Sequence, residues 1–279
     1  MQPTETLSVR RFSIRRIAGH HAERALDTVA AEEPLEIRIQ YWIKEAAVSE
    51  SLAITMRTPG HDRELAAGLL VSEGIVQEPT QLIDLHPLGS EPSNEIVAEL
   101  SRDVDVEVWK LARHAFVNSS CGLCGKRSRE AIAQQVPPVA PDDFRLNSRV
   151  IESLPDLLRE RQSGFMQTGA LHAAALVDAA GRIQTIFEDI GRHNALDKLI
   201  GWCLLNHRLP LREQLLFLSS RSSFELIQKA AMAGAPALAT VGGPSSLAIE
   251  AAREFGITLI GFLRENRFNV YSGEWRIDL

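Results

Sequence analysis

The sequence predicts an α/β protein with a C-terminal three-layer α/β/α domain and a smaller N-terminal α+β domain. Two features predict it. In residues 149–279 strands alternate with single helices, as in IQTIFED, GRHNALDKLIGWCLLN, LLFLSS, SFELIQKAAMAG, PALATV, SSLAIEAAREFG and TLIGFL. That spacing implies right-handed crossovers, a largely parallel sheet and helices on both faces. In residues 21–115, by contrast, β-prone segments surround one short helix. A chain of 279 residues suits one large domain or two modest ones.

Residues 1–20, with Arg10, Arg11, Arg15 and Arg16, read as a polar basic tail. PLEIRIQYWI and ESLAITMRT then form a hairpin turning near KEAAVS. DRELAAGLLVSEGIV has helical apolar spacing, with Asp62 placed to cap its first turn. NEIVAEL and VDVEVW supply one or two further strands. Residues 116–148 are rich in small, charged and proline residues around a weak helical signal, SREAIAQQ, and read as a mobile linker that carries CGLC. The C-terminal domain opens with the helix IESLPDLLRERQ and a hairpin of HAAALVD and IQTIFED about AAGR. In open α/β sheets ligands bind beyond the carboxyl ends of the strands, and here those ends read SSRSS, GGPSS and RENR.

An apolar fraction of 45% with 24% charged residues excludes disordered, collagenous and coiled-coil classes. A net charge of −6 argues against a nucleic-acid partner. No apolar run reaches the ~18 residues of a membrane span, and the start lacks a signal-peptide core, so neither membrane nor export is expected. The expected setting is cytoplasmic, where thiols stay reduced and a CxxC reads as catalytic or metal-binding.

Three constellations could carry chemistry. Cys121 and Cys124 lie on a glycine-containing segment followed by Lys126, Arg127 and Arg129, a cationic setting that favours thiolate. Structural zinc would need four ligands, and no second CxxC exists. A thioredoxin-type couple would follow a strand in a βαβ unit. The HxE…PCxxC pattern of zinc deaminases is matched only as text by His21-Ala22-Glu23, far upstream and with no proline before Cys121. Metal clamp, redox couple and sulfur carrier therefore stay open on residues alone, with no permanently bound metal expected. Cys203, between Trp202 and Leu204, reads as core. The second constellation gathers His172, Glu188, Asp189, Arg192 and His193, with Asp189 a natural helix cap and Arg192 and His193 able to donate to an anion. A hydrolase with His172 and Glu188 as acid and base would lack a nucleophile. The third pairs LSSRSSFELIQ, including Ser219 and Arg221, with GGPSSLAIE: two strand–turn–helix junctions whose helix N-termini favour anions. With Arg264 and Arg267 they suit a ligand carrying several phosphates.

Taken together, CGLCG, TGALHAAAL, EDIGRHNALDKLIG, LSSRSSFELIQKAAMAGAP and TLIGFLRENRFNVYSG resemble the formate dehydrogenase accessory sulfurtransferases, the FdhD/NarQ family. The resemblance covers most of the chain. It implies a cytoplasmic sulfur carrier, a sulfurtransferase that takes persulfide sulfur from a cysteine desulfurase. The sulfur passes to the molybdenum cofactor, Mo-bis(molybdopterin guanine dinucleotide), of formate dehydrogenase. It further implies a C-terminal domain like the cytidine deaminase fold without its zinc site, and a homodimer. Carried over by position, Cys121 bears the persulfide and Cys124 is its partner. Phe262, Leu263, Arg264, Glu265, Asn266 and Arg267 match the cofactor-binding stretch, although relatives often carry Gly or Pro at the positions of Glu265 and Asn266. The alternative is a non-catalytic chaperone that holds the cofactor for formate dehydrogenase.

Overall fold

The computed structural model of the protein describes residues 8–89, 93–106, 136, 139 and 142–279. Strands β3 (Glu33–Ile43) and β4 (Ala46–Arg57) form the expected hairpin, and β5 (Leu82–Pro87) and β6 (Glu95–Leu100) complete a sheet of order β4-β3-β6-β5. The period-2 pattern of β3 puts Leu35, Ile37, Ile39 and Tyr41 into the core on one face. Residues 101–106 contain no strand, so the expected strand at VDVEVW does not form in its described part, while β5 was not anticipated. Helix α1 (Asp62–Ser72) covers the inner face. Its N-cap is His61, and Asp62 instead receives two hydrogen bonds from Arg57, at 2.9 Å each.

The stretch read as a tail is also ordered from residue 8. Strands β1 (Val9–Ala18) and β2 (His21–Ala30) pair antiparallel through their full lengths as a two-stranded ribbon turning at Gly19-His20. Alternation in this segment is masked by arginines on both faces, which is why composition alone reads it as unstructured.

The larger sheet has the order β13-β12-β11-β10-β8-β9. Its strands are β8 (His172–Asp178), β9 (Ile183–Asp189), β10 (Gln214–Leu218), β11 (Ala237–Thr240), β12 (Thr258–Arg264) and β13 (Arg267–Ser272). Only the β10–β11 and β11–β12 pairs are parallel; β8, β9 and β13 pair antiparallel with their neighbours. The sheet is therefore mixed, not largely parallel. The physical reason is local: the two hairpins, one at each edge, need no crossover and must reverse direction. Alternate residues face opposite layers. Ala173, Ala175, Leu215, Phe217 and Ala239 pack against α2 (Ser148–Arg161), while Ala174, Leu176, Leu216, Leu218 and Leu238 join a second cluster. That cluster contains α4 (Arg192–Leu205), α5 (Phe224–Met232) and α6 (Ser246–Glu254). A short helix, α3 (Ser163–Thr168), follows α2, and the two-residue strand β7 (Leu146–Asn147), just before α2, pairs in parallel with β14 (Ile277–Asp278) near the C-terminus.

The second cluster does not stop at the C-terminal layers. It runs without a break from the sheet through α4 to α1 and on to β3, so the N-terminal unit shares one core with the C-terminal one. The crossing of α1 and α4 is unusually close: a Cβ on Gly68 would lie 1.8 Å from the carbonyl oxygen of Asp197, and one on Gly201 would lie 1.8 Å from that of Glu64. No side chain fits at either position, and neither backbone atom can yield without moving a helix. Gly201→Ala is expected to lower the unfolding free energy by about 3 kcal/mol, measured by urea denaturation, with Gly68→Ala giving a similar loss.

Candidate functional site

The carboxyl ends of β10, β11 and β12 and the start of β8 meet along one edge of the larger sheet. The turns that leave those strands are laced together by backbone hydrogen bonds. Ser219 N donates to Ala173 O (3.0 Å), Gly242 N to Ser220 O (3.0 Å), Ser245 N to Ser222 O (3.1 Å) and Phe262 N to Gly242 O (3.0 Å). This edge is fixed by main chain, so the side chains on it start from set positions. The Ser219 hydroxyl is spent on the lacing, accepting from Ala173 N at 2.9 Å.

Small residues bring the turns together. A Cβ on Gly242 would meet the Arg221 side chain at 2.6 Å, and one on Gly243 would meet the Phe262 ring at 2.5 Å. The stem of Arg221 and the ring of Phe262 thus lie on bare backbone. Phe262 has φ 52°, a left-handed conformation that is an outlier for an aromatic residue and costs of order 1–3 kcal/mol. It occurs where the β12–β13 pairing slips between Gly261 and Arg264, and it leaves the ring half exposed at the edge. Asn266, at φ 65°, takes the left-handed position of the β12–β13 turn, a role Asn fills with little strain, so the Glu265-Asn266 turn closes without glycine.

The predicted residues divide by role. Arg221, Phe262, Glu265 and Arg267 are exposed or half exposed along this edge. Arg264 is exposed too, but its guanidinium donates to the carbonyls of Val241 and Leu263 and so braces the turns. Leu263 turns its side chain into the core against α2 and is fully buried. The reason is the register slip, which rotates Phe262 outward and leaves Leu263 inward.

His172 stands at the start of β8, opposite Asp189. Burial holds its imidazole below the usual histidine value of 6.5, and the Arg192 charge lowers it further, while Asp189 acts in the other direction. His193, on the first turn of α4, is lowered by burial first and then by Arg192 and Lys229, against Glu225 and Asp197. Both shifts disfavour the imidazolium, so the fixed cations acting on this corner are Arg192 and Lys229. The half-buried Glu225 is held below the usual carboxylate value: burial raises its pKa, but hydrogen bonds, with the Arg192 charge, more than offset that.

Asp189 and Glu188 are structural. Asp189 is fully buried and accepts from Gly191 N (2.8 Å), Asn194 Nδ2 (3.1 Å), Thr58 N (3.1 Å) and Lys198 Nζ (2.7 Å). Four donors on one carboxylate make its burial tolerable. Lys198 Nζ also donates to Thr58 O at 2.9 Å. Glu188 caps α3 through Gly164 N (2.8 Å) and Phe165 N (2.9 Å), which leaves it unsuited to acid–base work. The sequence reading missed Lys198, Thr58 and Glu225. Lys198 was signalled only as a lone cation within an otherwise apolar run, DKLIGWCLL.

The helix N-termini are closed in different ways. The Ser245 hydroxyl caps α6 by accepting from Ala248 N, whereas the N-cap of α5, Ser223, makes no side-chain cap hydrogen bond. The first turn of α5 instead carries Glu225, whose carboxylate accepts from its own backbone N–H, so an acidic group already stands at that helix end. Among the described residues no group of three or more His, Cys, Asp or Glu could hold a metal ion, and no helix is long and apolar enough to cross a membrane. Cys121 and Cys124 lie outside the described residues. Cys203 is buried in α4, with its thiol pushed up to about 12 by burial.

Because His172 and His193 are lowered in the folded chain, the unfolded chain binds more protons between the folded values and 6.5. Stability therefore rises with pH across that window, is fully present above it and is lost as pH falls through the folded values. The thermal midpoint is expected to drop on acidification from neutral pH to about 5, and His172→Gln with His193→Gln should flatten that slope.

Residues 30–278 match the model of the FdhD/NarQ family. "Sulfur carrier protein FdhD" of Streptomyces avermitilis is 47% identical over 266 residues, covering 91% of this chain and 90% of that protein. The protein of that name from Mycobacterium tuberculosis is 40% identical over 275 residues, covering 95% and 96%. A crystal structure from Desulfotalea psychrophila, of a protein provisionally described as a formate dehydrogenase accessory protein, superposes with a TM-score of 0.74 at 22% identity, over 97% of this chain and 99% of that one. At that identity the likeness speaks for the fold alone.

Proposed function

The chain belongs to the FdhD/NarQ family, and from this premise we propose that it is a sulfur carrier serving formate dehydrogenase, with Cys121 as the carrier and the laced edge as the seat of the molybdenum cofactor. The observation that carries the reading, beyond family membership, is the edge itself. It presents Arg221 and Arg267 beside the half-exposed ring of Phe262. A bis(guanine dinucleotide) offers matching chemistry: phosphates for the arginines and flat bases for the ring. The cofactor is cargo here, not a resident group. Leu263 supports the edge from within, and Ser219 and Arg264 hold its shape. With the family, the C-terminal layers are read as related to the cytidine deaminase fold without a zinc site, and the assembly as a cytoplasmic homodimer.

The Cys121 thiolate attacks the terminal sulfur of a cysteine desulfurase persulfide. The new S–S bond forms as the donor's S–S bond breaks, and the desulfurase cysteine leaves as thiolate, so the exchange involves no net oxidation. Release can use Cys124: its thiolate attacks Cys121 sulfur, hydrosulfide leaves toward molybdenum, and a Cys121–Cys124 disulfide remains for a cellular thiol reductant to reopen. Arg127 and Arg129, close in sequence, favour both thiolates.

Incubated with a cysteine desulfurase and cysteine, the wild-type chain should gain one reductant-sensitive sulfur atom by intact mass, and Cys121→Ala should gain none. A wild-type chain that stays unmodified, with a desulfurase shown to be competent on another acceptor, would favour the holding chaperone. For the cofactor edge, guanosine diphosphate serves as a probe of one half of the ligand. Arg267→Ala should weaken its binding roughly tenfold, the order expected for a lost charge-assisted hydrogen bond, measured by calorimetry.

A further inference from the structure

The β1–β2 ribbon lies almost wholly outside the stretch matched by the family model, which begins at residue 30. It belongs to neither larger sheet, and among the described residues no strand pairs with either of its outer edges. An isolated two-stranded ribbon is marginal in water, so its two faces are informative.

Cross-strand partners share a face. On one face Arg16 lies opposite Glu23 and forms an ion pair with it, and Arg10 pairs with Glu33. The other face carries Arg11, Ser13, Arg15 and Ile17 opposite Thr28, Leu26, Arg24 and Ala22. Arg15 and Arg24 are thus directly opposed like charges, an arrangement that costs stability unless an anion meets it. Among the described residues none of Arg11, Arg15 and Arg24 has an acidic partner. On either side of the arginine pair stand Leu26 and Ile17, 71% and 69% exposed. A face of three unpaired guanidinium groups flanking two bare aliphatic side chains is built for a surface that is acidic and partly apolar.

We propose that this face is the docking arm for an acidic, partly apolar patch on the catalytic subunit of formate dehydrogenase. The aliphatic pair argues for a protein over a nucleic acid, whose backbone offers no apolar counterpart. A body of net charge −6 also opposes both nucleic acid and anionic lipid. Position selects the recipient over the sulfur donor. Strand β2 packs against α3, and α3 leads through Gly169-Ala170-Leu171 directly into His172, so the arm borders the edge from which cofactor would be handed over. The partner's identity rests on the sulfur-carrier reading; the need for an acidic partner rests on the ribbon alone.

The test uses the full chain and the catalytic subunit of formate dehydrogenase from the same organism, by surface plasmon resonance across a salt series. Arg24→Glu is the informative variant. It places a carboxylate opposite Arg15 and so supports the ribbon while cutting the charge of the face, and Leu26→Ser removes the apolar contact. Each should weaken binding roughly tenfold, the wild-type on-rate should fall with salt, and sulfur loading of Cys121 should be unchanged. Wild-type chain that does not bind the subunit, variants that bind it as tightly as wild type, or variants that lose loading instead would each overturn the arm's assignment. So would a ribbon-dependent affinity for phosphatidylglycerol vesicles or duplex DNA in place of the subunit. A wild-type chain that fails to load sulfur counts against the carrier reading itself, whereas normal loading with unaltered subunit affinity counts against the arm alone.

Discussion

The contact between Gly68 of α1 and Gly201 of α4 fixes how the two halves of the molecule meet. With a Cβ at either position 1.8 Å from a backbone oxygen, the helices touch main chain to main chain. Around that point the buried charges Asp189, Asp197 and Lys198 are each paired, while His193 Nε2, in the cleft beside them, has no hydrogen-bond partner among the described residues. Asp197 accepts from Ser72 Oγ (2.6 Å) and Lys229 Nζ (2.8 Å), and Asp189 with Lys198 holds both the N–H and the carbonyl of Thr58. Side chains 1% and 0% exposed would be a heavy desolvation cost for an isolated ion pair. Here the backbone of the other unit supplies the remaining partners, so the cost is offset only when the halves are docked in this one arrangement.

That docking reaches the functional edge through few bonds. Asp189 ends β9 and organises the first turn of α4, and its cross-strand neighbour is His172. The N-terminal unit, through Thr58, therefore sets the corner where His172, Arg192 and His193 sit. The edge itself is held by different means, with main-chain lacing among three turns and two glycine contacts that let Arg221 and Phe262 lie on backbone. Its one strained residue, Phe262, is the aromatic that the register slip turns outward. Strain there and pairing at the seam are complementary: a rigid frame can hold a sparsely populated conformation where a ligand is to be met.

Charge follows the same division. In a chain of net charge −6, Arg221 and Arg267 at the laced edge and Arg11, Arg15 and Arg24 on one face of the β1–β2 ribbon have no acidic partner among the described residues, while carboxylates such as Asp189, Asp197 and Glu188 are spent on internal donors. Net charge alone therefore understates how electropositive those two surfaces are.

By itself the sequence determined what periodicity and local chemistry encode. The helices of the C-terminal half, the β3–β4 hairpin and the polar turns after β10, β11 and β12 are legible because each buries a repeating apolar stripe or ends in small residues. Family membership was legible because several motifs recur in order along one chain. The tertiary structure alone decided the direction of β8 and β13, since a strand reads the same in either sense. It also decided that Leu263 faces inward, because a register slip leaves no mark in composition, and that Asp62 serves Arg57, because a cap and an ion pair compete for one carboxylate. The order of the ribbon and the burial of Lys198 against Asp189 belong to the same class. Both depend on partners distant in sequence, and only packing brings those together.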